Sequence, residues 1–194
     1  MAGFWADAVT EPKRAYRWVM NFRGVDQWMM KKVNKPSFTI TESEHSFLNY
    51  KFYYPGRVEW SEITCTLVDP IQPDASATLM KIVRDTGYVY PDDINQAAPL
   101  TISKRKSIAA IGGSIFVKQI DADGNGIIEA WELKNPWIKS VNFGELSYED
   151  DGIVEIEVVL RYDWARLIDS SSKGRINMLP GHPKIHPNAV DPIK

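Results

Sequence analysis

The sequence predicts a mainly β protein with one helix. Three observations carry this prediction. Residues 153–164 alternate strictly, with Val154, Ile156, Val158, Leu160, Tyr162 and Trp164 on one face. Glu155, Glu157, Val159, Arg161 and Asp163 occupy the other, so one face of a strand is dry and one is mostly wet. Several shorter runs share this period. Only one segment spaces its apolar residues as a helix does.

The elements follow in chain order. Residues 16–22 and 38–40 read as strands. Residues 49–54 read as another, ending at the turn signal Pro55-Gly56. Residues 60–68 put Ile63, Cys65 and Leu67 on one face and Glu62, Thr64 and Thr66 on the other. The helix comes next. Asp74 after Pro73 offers an N-cap, and Ala75, Leu79, Ile82 and Val83 recur at helical spacing. Lys81 and Arg84 suit its C-terminal end, and Gly87 stops it. Residues 88–106 read as a loop that ends in the basic run Lys104-Arg105-Lys106, expected to be solvated. Beyond Trp164 the pattern fades. Residues 170–174 resemble a linker, and residues 179–194 hold four prolines with little periodicity.

Composition narrows the function classes. The chain has 194 residues, of which 44% are hydrophobic, enough for one domain with a substantial core. The net charge of −2 gives no basic field for nucleic acid. No run approaches the ~20 apolar residues that span a bilayer, and the N-terminus lacks the order of a secretion signal. A single cysteine, Cys65, excludes an internal disulfide framework. Seven Trp and eight Tyr suit broad sheet contacts and protein interfaces.

Residues 121–132 match a calcium-loop pattern. Asp121, Asp123 and Asn125 stand at positions one, three and five, Gly126 at six and Glu132 at twelve. The flanks oppose a helix–loop–helix. Gly112-Gly113 and the β-branched residues that follow are poor helix material. Pro136 would cut short an exiting helix. A hairpin fits better, with strands 115–120 and 127–133 joined through Asp-Gly and Asn-Gly, which accept positive φ. On an extended strand Glu132 would lie roughly 20 Å from Gly126, at ~3.3 Å per residue, too far to close a coordination sphere. Asp121, Asp123 and Asn125, with Glu129 as a fourth candidate, could then hold only a weak, solvent-sharing cation. A monomeric calcium-binding domain is the corresponding rival function.

No catalytic set is legible. Cys65 lies in a predicted strand without a histidine partner and reads as a small buried hydrophobe. His182 and His186 are four apart, but Pro183 and Pro187 forbid the helix that would align them. Gly112-Gly113 lacks the Lys-Ser/Thr of a phosphate loop. Glu149, Asp150 and Asp151 read as an acidic hairpin tip. No enzyme activity and no cofactor are expected.

The order of segments resembles the tail tube proteins of contractile-tailed bacteriophages, relatives of the tube proteins of type VI secretion and phage-tail-like particles. Lys31-Lys32-Val33-Asn34-Lys35-Pro36 is similar to an early strand ending in a proline turn. Residues 37–57, with Asn49-Tyr50-Lys51 and Pro55-Gly56-Arg57, resemble the family's long hairpin. Residues 60–67 resemble its strand of apolar residues alternating with threonine. Residues 115–137 resemble the next hairpin, running into Asn135-Pro136-Trp137. The most specific likeness is Val141-Asn142-Phe143-Gly144-Glu145-Leu146-Ser147-Tyr148, then a turn, then the alternating strand ending Tyr162-Asp163-Trp164. The likeness spans about residues 15–165, with 88–106 poorly matched and 166–194 extra.

The resemblance implies a small antiparallel β-barrel or sandwich with one flanking helix, a protruding hairpin and an extended C-terminal tail. It divides the chain into a tube domain, 1–168, and an extension, 169–194. It implies hexameric rings stacked into the inner tube of a contractile tail, a conduit for the genome and a core for the sheath. His45, Asn49, Lys51, Tyr53 and Arg57 would lie on the hairpin that reaches the next ring. The implied partners are further copies of the chain, the sheath protein, the baseplate hub or tube initiator and the tail terminator. DNA would pass without specific binding, which a near-neutral chain suits, and no membrane is involved. The implied location is the virion tail, assembled in the host cytoplasm. The alternatives are a tube subunit of a type VI-like or extracellular injection system and a paralogous initiator ring at the baseplate.

Overall fold

The computed structural model describes residues 12–91, 101–122, 124, 126–149 and 151–169. These form ten strands and two helices. In order they are β1 (Trp18–Met20), β2 (Met30–Val33), β3 (Phe38–Phe47), β4 (Tyr50–Trp60), β5 (Ile63–Val68), α1 (Ala75–Asp85), α2 (Lys104–Ile111), β6 (Ile115–Ile120), β7 (Ile127–Lys134), β8 (Trp137–Asn142), β9 (Glu155–Arg161) and β10 (Trp164–Asp169).

Two antiparallel four-stranded sheets hold the core. One has the order β1-β6-β7-β10, the other β2-β5-β9-β8. The strand orders are linear, so the arrangement is the sandwich and not the closed barrel. Period-two alternation on β5 and β9 makes one face of the second sheet wholly apolar. Ile63, Cys65 and Leu67 pack there with Ile156, Val158 and Leu160, all essentially inaccessible. Met20, Ile115, Val117, Leu133 and Ala165 of the other sheet join the same cluster. Burying one such aliphatic side chain contributes about 1.5–3 kcal/mol.

α1 forms where its sequence predicts. The Asp74 carboxylate accepts a hydrogen bond from the Ala77 amide at 2.8 Å, and Ala75, Leu79 and Ile82 face the core. α2 was not expected, since 88–106 read as a loop. Its eight residues carry a weak pattern, and Lys104-Arg105-Lys106 fall in the first turn, where the helix dipole disfavours cations. Ser103 caps it by accepting from the Lys106 amide, and Gly112 at φ +97° ends it in a left-handed cap. The expected single helix is therefore two, and α1 packs on α2.

Other boundaries also differ from the sequence reading. Residues 153–164 do not form one strand. β9 ends at Arg161, and β10 starts at Trp164 in the opposite sheet, with Ala165 opposite Leu133. Asp163 makes the crossing: its amide donates to Lys134 O, and its carboxylate accepts from Lys104 and from Asn135 at 2.7 Å. β8 was not anticipated, because Lys139 and Ser140 break the apolar alternation of an exposed edge strand. Pro55-Gly56 is not a turn, and β4 runs through it. The division placed at residue 168 falls at the end of β10. Residues 170–194, with His182 and His186, lie outside the described residues.

Residues 115–134 form the expected antiparallel hairpin, with Ile115 opposite Leu133 and Ile120 opposite Ile127. The Asp121 amide donates to Gly126 O at 3.0 Å across the connection.

Candidate assembly surface

The hairpin β3–β4 stands apart from the core. Every residue of β3 is exposed, and so is every residue of β4 except half-buried Trp60. Its base is anchored by aromatic contact. Phe38 meets Trp60 edge-on at 5.2 Å between ring centroids, and Trp60 meets buried Tyr162 at 6.1 Å. Ser61 donates to Ser37 O at 2.8 Å, and Asn34 to Thr64 O, so both ends are tied to the second sheet.

A bulge divides the hairpin. Ile40 pairs with Val58, but Glu42 pairs with Pro55, so Thr41 faces two residues, Gly56 and Arg57. The Thr41 hydroxyl accepts from the Arg57 amide at 2.8 Å and donates to Arg57 O at 3.3 Å. A Cβ at position 56 would lie 2.4 Å from Thr41 Oγ1. Glycine is thus required there by close approach and not by a turn. Proline is tolerated because a bulged two-stranded ribbon leaves an amide position unpaired.

Beyond the bulge the two faces differ. The pairs Ser43–Tyr54, His45–Phe52 and Phe47–Tyr50 share one face. That face is a row of exposed aromatic side chains with His45 among them. The pairs Glu42–Pro55, Glu44–Tyr53 and Ser46–Lys51 share the other. There Lys51 meets Glu44 at 2.9 Å and, with Ser46 and Tyr53, holds the Glu44 carboxyl below the usual carboxylate range. The tip is Leu48-Asn49. Leu48 is 85% exposed with φ +54°, a region that disfavours leucine.

The five hairpin residues singled out from the sequence are therefore distributed rather than clustered. His45 lies on the aromatic face, Lys51 and Tyr53 on the charged face, Asn49 at the tip and Arg57 at the bulge. Phe47, Leu48, Tyr50, Phe52 and Tyr54, which lie in the same hairpin, were not singled out individually from the sequence. Their signal is the alternation of Tyr50, Phe52 and Tyr54 within the strand read at 49–54, continued by Phe47 across the tip.

The hairpin is linked to the first sheet through Lys35, which precedes β3. Lys35 and Lys13 both pair with Glu129 of β7, and Lys35 also donates to Gln119 at 2.9 Å. Burial alone would raise the Glu129 carboxyl. The hydrogen bonds and charges of Lys13 and Lys35 outweigh it and hold the group at about 2. Glu132 is bonded by Lys134 and by Arg166 at 2.7 Å. Both carboxylates are thus held by cationic side chains, Glu129 by two lysines and Glu132 by Lys134 and Arg166. Asp123 and Asn125 lie outside the described residues. No cluster of three or more His, Cys, Asp or Glu side chains able to hold a metal occurs among the described residues. Cys65 is buried, its Sγ donates to Val158 O at 3.5 Å, and burial pushes its thiol up to about 12. No helix among the described residues is long and apolar enough to cross a membrane.

No protein-family model matches the chain, and no curated protein matches it in sequence. Solved structures share its fold. A chain of the anti-feeding prophage tube-terminating cap is 16% identical with a TM-score of 0.60, covering 88% of this chain and 100% of that one. A chain of the sheath/tube terminator of PVC, an extracellular contractile injection system, is 16% identical with a TM-score of 0.56, covering 83% and 99%. A chain of the PVC sheath-tube complex in the extended state is 15% identical with a TM-score of 0.55, covering 83% and 94%. The likeness is one of fold, and it extends through nearly the whole of each of those chains.

Proposed function

We propose that this chain is a structural, non-enzymatic subunit of the inner tube of a contractile particle. Subunits assemble into hexameric rings, and the rings stack. The observation that carries this reading is the hairpin β3–β4. A two-stranded ribbon is marginal by itself in water, and a row of exposed aromatic side chains marks a surface that is covered in use. The outer strands of the two sheets, β1, β10, β2 and β8, add open edges. Such edges invite aggregation in a monomer and can be paired or covered in a ring.

The partners under this reading are further copies of the chain, a surrounding sheath, a baseplate initiator and a terminator. His45, Asn49, Lys51, Tyr53 and Arg57 belong to the ring-stacking hairpin. In a phage tail the passenger is DNA, which moves through without specific binding. The fold likeness to chains of the anti-feeding prophage and of an extracellular injection system favours a second form of the same reading, in which the tube belongs to an injection particle. The terminator-type structures among them also make an end ring a specific alternative.

Electron microscopy of the purified full chain tests the proposal. Hexameric rings or tubes with a central channel are expected. A monomer that persists over a wide concentration range overturns it.

A further inference from the structure

The crossing from β9 to β10 borders a cavity of about 560 Å³. Three elements wall it. β9 ends there at Arg161, and Trp137, which opens β8, lies opposite that residue. The first turn of α2 contributes Lys104, and Ile102 lies just before it. Tyr162 and Asp163, which link the two sheets, complete the lining. The volume falls within the roughly 300–1,000 Å³ of small-molecule sites.

The polar groups of this cavity are unequally satisfied. Lys104 donates to both carboxylate oxygens of Asp163, at 2.7 and 2.6 Å, and Asn135 donates to the same carboxylate. That pair of charges is matched internally. Arg161 is not matched in this way. It approaches Glu62 only at 3.8 Å, beyond hydrogen-bonding distance, and Glu62 is bonded by Lys139. Tyr162 is 3% exposed, yet its hydroxyl has no hydrogen-bond partner among the described residues. A buried hydroxyl is ordinarily bonded. Burial raises the pKa of this one, and the Arg161 charge acts in the opposite sense. At neutral pH the hydroxyl is therefore a protonated donor.

We propose that this cavity binds a small monocarboxylate with a flat apolar body. Arg161 and Tyr162 are adjacent donors that line one cavity, and the acceptor nearest to hand, Asp163, is already bonded. A carboxylate serves both. The guanidinium offers paired N–H groups in the geometry a carboxylate accepts, and the hydroxyl adds a further donor. Trp137 and Ile102 supply apolar wall, and an indole takes a flat ring by offset or edge contact. The balance of charge selects among anions. Arg161 and Lys104 set against Asp163 leave a single positive charge, with Glu62 at the rim. That balance suits a singly charged carboxylate better than a doubly charged phosphate. Binding needs no ring or tube, so it stands or falls separately from the assembly reading.

Calorimetric titration of the full chain with naphthoate tests the proposal, with naphthamide and inorganic phosphate as comparisons. Saturable binding of one naphthoate per chain is expected, with a shift of the Trp137 indole resonance in NMR spectra. Naphthamide keeps the rings without the charge and should bind about tenfold more weakly or worse, and Arg161→Gln should weaken naphthoate by a similar factor. Tyr162→Phe should weaken naphthoate about threefold and leave the free protein at least as stable, since it removes a buried hydroxyl that the fold does not bond. Absence of saturable naphthoate binding by the unaltered chain overturns the proposal. So does equal binding of naphthamide, binding of phosphate as tight as that of naphthoate, or full affinity in either variant. The naphthamide comparison uses the unaltered chain and decides the matter even where a variant does not fold.

Discussion

Glu129→Gln removes the charge that ties the hairpin base to the first sheet. The glutamine keeps the shape and still accepts from Trp131 Nε1, bonded at 3.2 Å in the parent. What it loses is attraction to Lys13 and Lys35. The folded carboxyl titrates at about 2, below an ordinary glutamate near 4.3. At about 1.4 kcal/mol per pKa unit, the gap sets an upper bound of about 3 kcal/mol. Both lysines are about half exposed, so solvent screening reduces this to about 1–2 kcal/mol. The sign follows from linkage. A depressed carboxyl stabilises the fold fully above its unfolded value, and that contribution fades as pH falls from about 4.3 toward 2. Urea unfolding of both proteins at pH 7, 4 and 2.5 is the assay. The variant should be about 1–2 kcal/mol weaker at pH 7, a loss of about 2–8 °C in Tm. The difference should shrink through pH 4 and fall to roughly a quarter of its pH 7 value at pH 2.5. Equal stability at pH 7, or a difference that stays constant down to pH 2.5, would refute the role assigned to this ion cluster.

Gly56→Val should strip hydrogen-exchange protection from the Arg57 amide, because the new Cβ meets Thr41 Oγ1 at 2.4 Å and Thr41 O at 2.9 Å. The melting temperature should move by no more than about 2 °C, since the hairpin lies outside the core; retained protection at Arg57 would contradict the bulge geometry. Asp74→Ala should cost about 1 kcal/mol in denaturant unfolding by removing the α1 cap, and a change below about 0.3 kcal/mol would show that the cap does not stabilise the helix. Cys65 should resist thiol reagents at pH 8 in the native protein and react on unfolding, because burial holds its thiol near 12; rapid native labelling would contradict that burial.

Strands were legible wherever burial imposed a pattern. β5 and β9 alternate because one face of each enters the core, and that constraint is written residue by residue. α1 was legible for the same reason, with a cap and a stop at its ends. The hairpin at 115–134 could be separated from a calcium loop because glycine, proline and strand reach are local properties. β8 and α2 were not legible, since an edge strand and a short solvated helix bury too little to leave a period. The break at Tyr162-Asp163 was also hidden. Alternation continues across it, and only the partners of Asp163 on α2 and after β7 send the chain to the other sheet.

The sequence by itself determined which residues are apolar, at what period, and where the chain can turn. These local facts fixed the β class, the first helix and the absence of a legible catalytic set, while the long hairpin was expected only from the family resemblance. Tertiary structure decided how the strands divide between two sheets, that the sheets do not close, and which ends they present. It also decided that β4 runs through Pro55 into a bulge at Gly56-Arg57, because only Thr41 on the facing strand distinguishes a bulge from a turn. Period can be read from one segment, but register is a relation between segments far apart in the chain.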